Sequence, residues 1–407
     1  MRNRGILYFL TACLAASMVA AILVSDSSAA GNTQLVYSFT GGSDGGNAAT
    51  RLVFDTAGNA YGTTVVGGTF GCGTVFKLHP SRGTFLESVL WNFSCFGDGK
   101  NPHGGVTLDS AGNIYGTTVA GGSGGICTGD GCGVVFRLQS NGLVILHDFT
   151  GGSDGFGPGG PAVLDAAGNV FGETPDGGAS GKGTVFELVR HGTIWQHKIL
   201  HNFSGGADGS TGSLGPLLFD THGNLFGVTE VGGAHSAGNV FELSPGAGGT
   251  FIFKVIYDFK GQPDAAFAYG GLIPDASGNL YGTTYFGGTS GNGAVYELSP
   301  HGSGWSERVL YSFKGGTDGS LPTSTLVFDD NNLYGTTTTG GRPSCDCGTI
   351  FKLNHISGAE SVVHNFGVRP DGSYPYYTLT RGSRGNFFSS TVAGGLYGQG
   401  TIFMFTP

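Results

Sequence analysis

The chain has 407 residues, 19 of them basic and 28 acidic, for a net charge of −9, and no segment gathers its Lys and Arg. That balance excludes a phosphate-tracking surface, so nucleic acid is not an expected partner. The 80 glycines and 15 prolines raise disorder as the first alternative, but charged residues are only 12% while aromatics reach 12% and recur in register, so the glycines punctuate strands.

Residues 1–30 read as a secretory signal: Arg2 and Arg4, an apolar run from Ile6 to Val24, then Ser28, Ala29 and Ala30 as a small-residue cleavage site. The alternatives are a lipobox at Leu10 to Cys13 and a retained anchor. No later apolar run approaches the ~20 residues that span a bilayer, so the expected mature chain, from Gly31, is secreted, periplasmic or on the cell surface, without a membrane span.

From there one phrase recurs seven times, a Phe followed five positions later by Asp: Phe39/Asp44, Phe93/Asp98, Phe149/Asp154, Phe203/Asp208, Phe259/Asp264, Phe313/Asp318 and Phe366/Asp371. A near-constant period of 53 to 56 residues marks a propeller, solenoid or array. Within one period, a short apolar run at Leu52 to Asp55 leads through the turn Asp55-Thr56-Ala57-Gly58-Asn59 into a β-rich segment, Ala60 to Thr64. A Gly67-Gly68 loop, a third strand Thr74 to Leu78 and a fourth from Val89 to Phe93 complete a four-stranded antiparallel blade.

A parallel β-helix is the rival architecture, but its coils are shorter and lack hairpin turns. Pro274 fits an inner edge strand, and Gly62, Gly116, Gly172, Gly227, Gly282 and Gly335 interrupt the second strand where close backbone approach between blades is expected. The repeat opens with a lone fourth strand, Leu35 to Phe39, and closes with three strands ending in Thr401 to Phe405. The expectation is therefore all-β: one domain over 31–407, a seven-bladed propeller whose last blade is completed by the N-terminal strand.

The phrase Asn279-Leu280-Tyr281-Gly282-Thr283-Thr284, followed by Gly287-Gly288, Gly293 and Val295-Tyr296-Glu297-Leu298, resembles the GloVer tandem repeat of exported bacterial proteins, a choice-of-anchor family. The resemblance covers residues 35 to 405 and implies export and a repeat architecture, without an activity. It also implies a C-terminal anchoring segment, which is not recognisable before Pro407. Kelch repeats share the Gly-Gly near the end of the second strand, but their Tyr and Trp spacing is missing.

Six cysteines follow the signal, and an even number in an exported protein points to disulfides. Cys72 and Cys95 fall at neighbouring ends of the third and fourth strands of blade one, a natural staple. Cys127 and Cys132 share one loop, and Cys345 and Cys347 share the equivalent loop of blade six, the tightest pair. A zinc or redox site is the competing reading, weakened by the lack of a nearby His cluster.

The seven Asp of the repeated phrase read as turn formers; as a ring of carboxylates they are also the candidate Ca²⁺ ligands, and no other cofactor is implied. His147, His201 and His364 share a register with Tyr37, Trp91, Tyr257 and Tyr311 and read as aromatic packing. Two copies break the pattern at the Tyr-Gly-Thr-Thr phrase, at Glu173 and Glu230, two positions apart in register, so strand alternation sends both to the same side of their own sheets. They are the candidate acid–base pair of a polysaccharide hydrolase or lyase, against drift on a solvated rim.

The variable insertions Phe156 to Gly160, Ala265 to Gly270 and Tyr374 to Tyr377 put aromatic surface on the face carrying the Asp-Gly and Gly-Gly turns. The leading expectation is a monomeric, non-catalytic propeller binding a glycan or an extracytoplasmic protein there, through Asp176, Tyr285, Tyr374 and Tyr377. A structural envelope protein is the third alternative.

Overall fold

The computed structural model describes residues 32–407 apart from positions 49, 128, 213, 214 and 368; the expected leader lies outside the described residues. Among the described residues no helix is long and apolar enough to cross a membrane.

Blade one comprises Val53–Phe54, Ala60–Thr64, Thr74–Ser81 and Thr84–Asn92, each antiparallel to the next, from the inner to the outer strand. A blade has a neighbour on each face, so its central strands are buried on both sides: Thr74, Val75 and Phe76 are consecutive and all buried. The outer strand keeps exposed positions, as at Leu86.

The turn between inner and second strands is set by Asp55, which accepts the Ala57 N–H at 2.9 Å, the Asn59 N–H at 2.9 Å, the Asn59 side chain at 2.6 Å and the Tyr61 hydroxyl at 3.0 Å. Burial pushes its carboxyl up, but these donors outweigh burial and hold it below the usual carboxylate range. Asp109 and Asp275 repeat the arrangement with Tyr115 and Tyr281.

Seven such sheets close into a ring. The seventh is completed by the N-terminal strand Asn32–Ser38, antiparallel to Thr401–Thr406, with Leu35 opposite Phe403 and a bulge before Tyr37. In blades four to six the inner strand is split, as in Ala265–Ala268 and Ile273–Pro274, both paired with Leu280–Gly287. The seven repeated Phe side chains, Phe39 to Phe366, are fully buried, and the Phe39 N–H donates to Gly400 O at 3.1 Å.

The glycine of the second strand has a different reason from the expected approach of a neighbouring backbone. Gly62 pairs with Phe76 of its own sheet, and a Cβ on Gly62 would meet that ring at 2.7 Å. Gly116, Gly172, Gly227 and Gly335 meet Phe136, Phe186, Phe241 and Phe351 in the same way, and Gly282 meets Tyr296. The absence of a side chain makes room for an aromatic that packs flat across its own blade.

Blades are joined near the axis by hydroxyls one residue beyond that glycine or, in blade seven, beyond Ser389. Thr117 donates to Gly160 O at 2.8 Å, Thr283 to Ser324 O at 2.9 Å, Thr336 to Pro375 O at 2.9 Å and Ser390 to Thr50 O at 2.9 Å, each reaching the inner turn of the next blade. All three disulfides are present: Cys72–Cys95 spans third and fourth strands with Cα atoms 5.3 Å apart, and Cys127–Cys132 and Cys345–Cys347 close single loops.

Candidate functional site

The Asp-Gly loops and the Gly-Gly loops lie on one face, joined by bonds such as Gly68 N–H to Gly42 O at 2.8 Å and Gly46 N–H to Val66 O at 2.9 Å. Just inside that face the inner turns of all seven blades converge. The convergence is tight: a Cβ on Gly104 would lie 2.5 Å from the Gly160 backbone, and one on Gly215 2.2 Å from Gly271 N. What remains is a constriction of about 20 Å³, room for one water-sized group, to which every blade contributes, among them Arg51, Gly104, Pro161, Gly215, Tyr269, Thr325 and Tyr377.

A tract of tyrosines leads out of it. Tyr377 and Tyr376 have ring centroids 5.9 Å apart, Tyr376 and Tyr269 5.9 Å, and Tyr269 and Tyr285 6.1 Å. Tyr377 is anchored by its hydroxyl, 3.1 Å from His103 Nδ1, and Thr323 bonds Thr338 at 3.0 Å beside it. These positions come from two registers: His103, Thr323, Tyr269 and Tyr376 stand three residues before the apolar residue that opens the inner strand, and Glu230, Tyr285 and Thr338 directly follow the second-strand Thr. In blades one to three the latter register holds Val65, Val119 and Pro175, so the mouth is aromatic and polar on one side and small and apolar on the other.

Burial drives the electrostatics. It pushes the Tyr269 phenol far up, with Tyr376, Tyr377 and Glu230 adding to the shift, and it raises Tyr376 and Tyr377 as well, so these phenols stay protonated donors. It lowers His103, which stays neutral, and raises the Glu230 carboxyl. Arg51 is also lowered by burial from its usual value, yet from so high a starting point it remains a cation.

Tyr285 and Tyr377 thus belong to one tract, linked by Tyr269 and Tyr376. Tyr374 lies on the same face at 39% exposure with its backbone at φ 59°, its N–H donating to Cys347 O at 2.9 Å. Asp176 is exposed and bridges Phe156 through its backbone.

Glu173 is neither on a solvated rim nor beside Glu230. Only 6% exposed, it takes the register of the inter-blade Thr hydroxyls, and its Oε1 would lie 2.7 Å from a Cβ on Gly227. Both glutamates do face the same side of their own sheets, and in a ring that separates them. Glu173 faces blade four, whereas Glu230 faces blade five, where its charge acts on Tyr269; the sheet of blade four stands between them.

The seven repeated Asp are engaged as turn formers and turned toward the outer strands. Asp44 accepts the Thr40 N–H at 2.9 Å and the Tyr37 hydroxyl at 3.0 Å. Asp98 accepts from Trp91 at 3.1 Å, Asp264 from Tyr257 at 3.0 Å and Asp318 from Tyr311 at 2.7 Å. His147, His201 and His364 place Nε2 at 3.3, 3.0 and 3.1 Å from Asp154, Asp208 and Asp371. The histidines read as packing residues therefore also occupy a donor position, seven residues before each Asp. Among the described residues no group of three or more His, Cys, Asp or Glu is gathered as for a metal ion.

Sequence reasoning passed over Arg51, His103 and Tyr376 as site residues. The signal was present: aligned on Leu52, Val106, Ala162, Leu217, Leu272, Leu326 and Leu379, the preceding residue is Gly, Pro or Thr in six copies and Arg51 in one.

Among solved structures, the chain is similar to an oligogalacturonate lyase in complex with manganese, at 12% identity and TM-score 0.54 over 86% of each chain. It is also similar to a protein of Bacteroides fragilis NCTC 9343 provisionally assigned as a 6-phosphogluconolactonase, at 13% identity and TM-score 0.50 over 83% of this chain and 89% of that one. Identities this low speak for the propeller fold alone. No curated protein sequence matches. The model of the Gloeobacter/Verrucomicrobia repeat matches residues 86–273 and 247–407, and the chain belongs to that family.

Proposed function

We propose that this is an exported propeller that binds a carbohydrate chain, without transforming it, at the mouth of its central channel. The observation that carries the reading is the tract Tyr285, Tyr269, Tyr376 and Tyr377 on the loop-bearing face. Flat, amphipathic rings held by their neighbours stack on sugar faces at little entropic cost, and their protonated hydroxyls supply donors. The constriction stops the chain, so the ligand lies across the mouth and does not thread the ring. Three disulfides and the leader-like N terminus support export.

The enzyme reading keeps one observation, the Glu230 carboxyl that burial pushes up beside the tyrosines. Its supposed partner Glu173 is on the far side of a sheet, which favours binding.

Titration calorimetry against oligosaccharides tests the proposal. Loss of stacking on Tyr376→Ala or Tyr269→Ala is expected to weaken binding about tenfold each, since a stacked ring contributes ~1 kcal/mol or somewhat more. Equal affinity in both variants would remove the mouth from consideration. Depolymerisation of a bound chain that stops in Glu230→Gln would replace binding by catalysis.

A further inference from the structure

The inner turns need small residues. Directly before the inner strand, where a Cβ on Gly271 would lie 2.6 Å from Pro216 and one on Gly105 2.8 Å from Arg51 O, six of the seven blades place Gly, Pro or Thr, and blade one places Arg51. A long cationic side chain is the costliest residue for such a place. Protein atoms pack around it on nearly all sides, while part of its surface still faces the channel. Its Nε is buried without a hydrogen-bond partner, and among the described residues no carboxylate pairs with it. A guanidinium removed from bulk water without an anion is unfavourable, so a position like this is favoured when a ligand supplies the opposite charge.

We infer that Arg51 seats a carboxylate of the ligand, which makes the ligand of the mouth an acidic sugar chain, a hexuronate or similar carboxylated glycan. The inference rests on the carbohydrate reading above and adds the ligand's charge and the residue that recognises it. Three features select a carboxylate over other anions. The guanidinium fork matches a planar two-oxygen group. The constriction of about 20 Å³ accepts one small group and excludes a whole sugar. Glu230, whose charge acts on Tyr269 and Tyr376, repels further negative charge at the mouth, which disfavours a phosphate dianion more than a monoanion. The tyrosine tract then begins at the seat: Tyr377 and Arg51 line the same constriction, and the rings continue outward in steps of 5.9, 5.9 and 6.1 Å. A carboxylate held at its inner end would place the rest of the chain along those rings.

The test uses the intact mature protein and two readouts. In an NMR titration, glucuronate is expected to shift the Arg51 Nε–H signal to saturation, while glucose and inorganic phosphate leave it in place. In calorimetry, a hexuronate oligosaccharide is compared with the same oligosaccharide after reduction of its carboxyls to hydroxymethyl groups. The acidic form is expected to bind at least tenfold more tightly, and Arg51→Thr, the residue of blade six at this position, should remove that advantage. Absence of a saturable shift, or equal affinity for the acidic and reduced forms, overturns the carboxylate seat. Binding of the reduced form that still depends on Tyr376 would then leave the carbohydrate reading standing, whereas no binding of either form would remove both. Should Arg51→Thr fail to fold, the wild-type shift and the acidic-to-reduced comparison decide alone.

Discussion

At the scale of single residues, the repeated Asp is the residue that the rest of the loop is arranged around. In blade five Asp264 takes the Tyr257 hydroxyl at 3.0 Å and the Lys260 N–H at 3.1 Å, and its other oxygen meets the Ala265 N–H at 2.8 Å. Tyr257→Phe removes one of these bonds and is expected to cost about 1–2 kcal/mol, whereas Asp264→Ala strands several donors at once and should cost more; chemical denaturation of the two variants gives the ranking. A Tyr257→Phe variant less stable than Asp264→Ala would reverse the assignment. The Phe and the Asp were legible in the sequence because each recurs as the same letter. Their donor was not, because Tyr37, Trp91 and His147 differ as letters while presenting an N–H or O–H at a similar reach.

Between elements, the outer strands add a pairing that spans blades. Where the donor to the Asp is Tyr, as at Tyr37, Tyr257 and Tyr311, the next blade carries a glutamate six residues before its repeated Phe: Glu87, Glu307 and Glu360. Burial, then the charge of Asp44, pushes Glu87 up to about 8. Burial, then a hydrogen bond and the charge of Asp264, pushes Glu307 to about 8 against the opposing Lys260. Burial, then Asp318, pushes Glu360 to about 7 despite Tyr311 and Lys314. Folded-state values above the unfolded one mean that the folded protein holds extra protons between about pH 4.5 and 8. The stability this confers is complete below the lower limit and is lost as pH rises through 7 to 8. Asp154 and Asp208 act oppositely: burial raises them, accepted hydrogen bonds from Thr150 and Ser204 win, and their contribution is lost as pH falls through their lowered values. The melting temperature should therefore decline between pH 6 and 9, and the triple variant Glu87→Gln, Glu307→Gln, Glu360→Gln should flatten that decline. Equal wild-type melting temperatures at pH 6 and pH 9 would contradict the pairing. The same scale explains why Glu173 and Glu230 looked like a pair: alternation along a strand is readable from sequence, but which blade a face meets depends on closing the ring.

For the molecule as a whole, closure was the most legible feature, since one orphan strand and a three-stranded last copy have one economical pairing. Holding ends some 370 residues apart costs on the order of 5 kcal/mol in chain entropy, and the ladder from Thr33 to Ser38 against Thr401 to Phe405 offsets it. Deleting residues 31–40 exposes an edge bearing Ile402, Phe403 and Phe405, so aggregation or a markedly lower melting temperature is expected, while deletion of 31–33 should be tolerated. A soluble longer deletion of unchanged melting temperature would mean that the ends do not hold each other. The site was less legible because it exists only on the axis, where residues from seven copies meet. A larger cavity, about 1180 Å³, lies elsewhere, on the flank between blades seven and one, beside Tyr37, Phe85, Glu87 and Tyr397. A crystal structure with a hexuronate oligosaccharide chooses between the two places. Sugar rings are expected against Tyr376 and Tyr269 with a carboxylate on Arg51; an oligosaccharide bound only in the flank cavity, with the mouth empty, would contradict a binding site at the mouth.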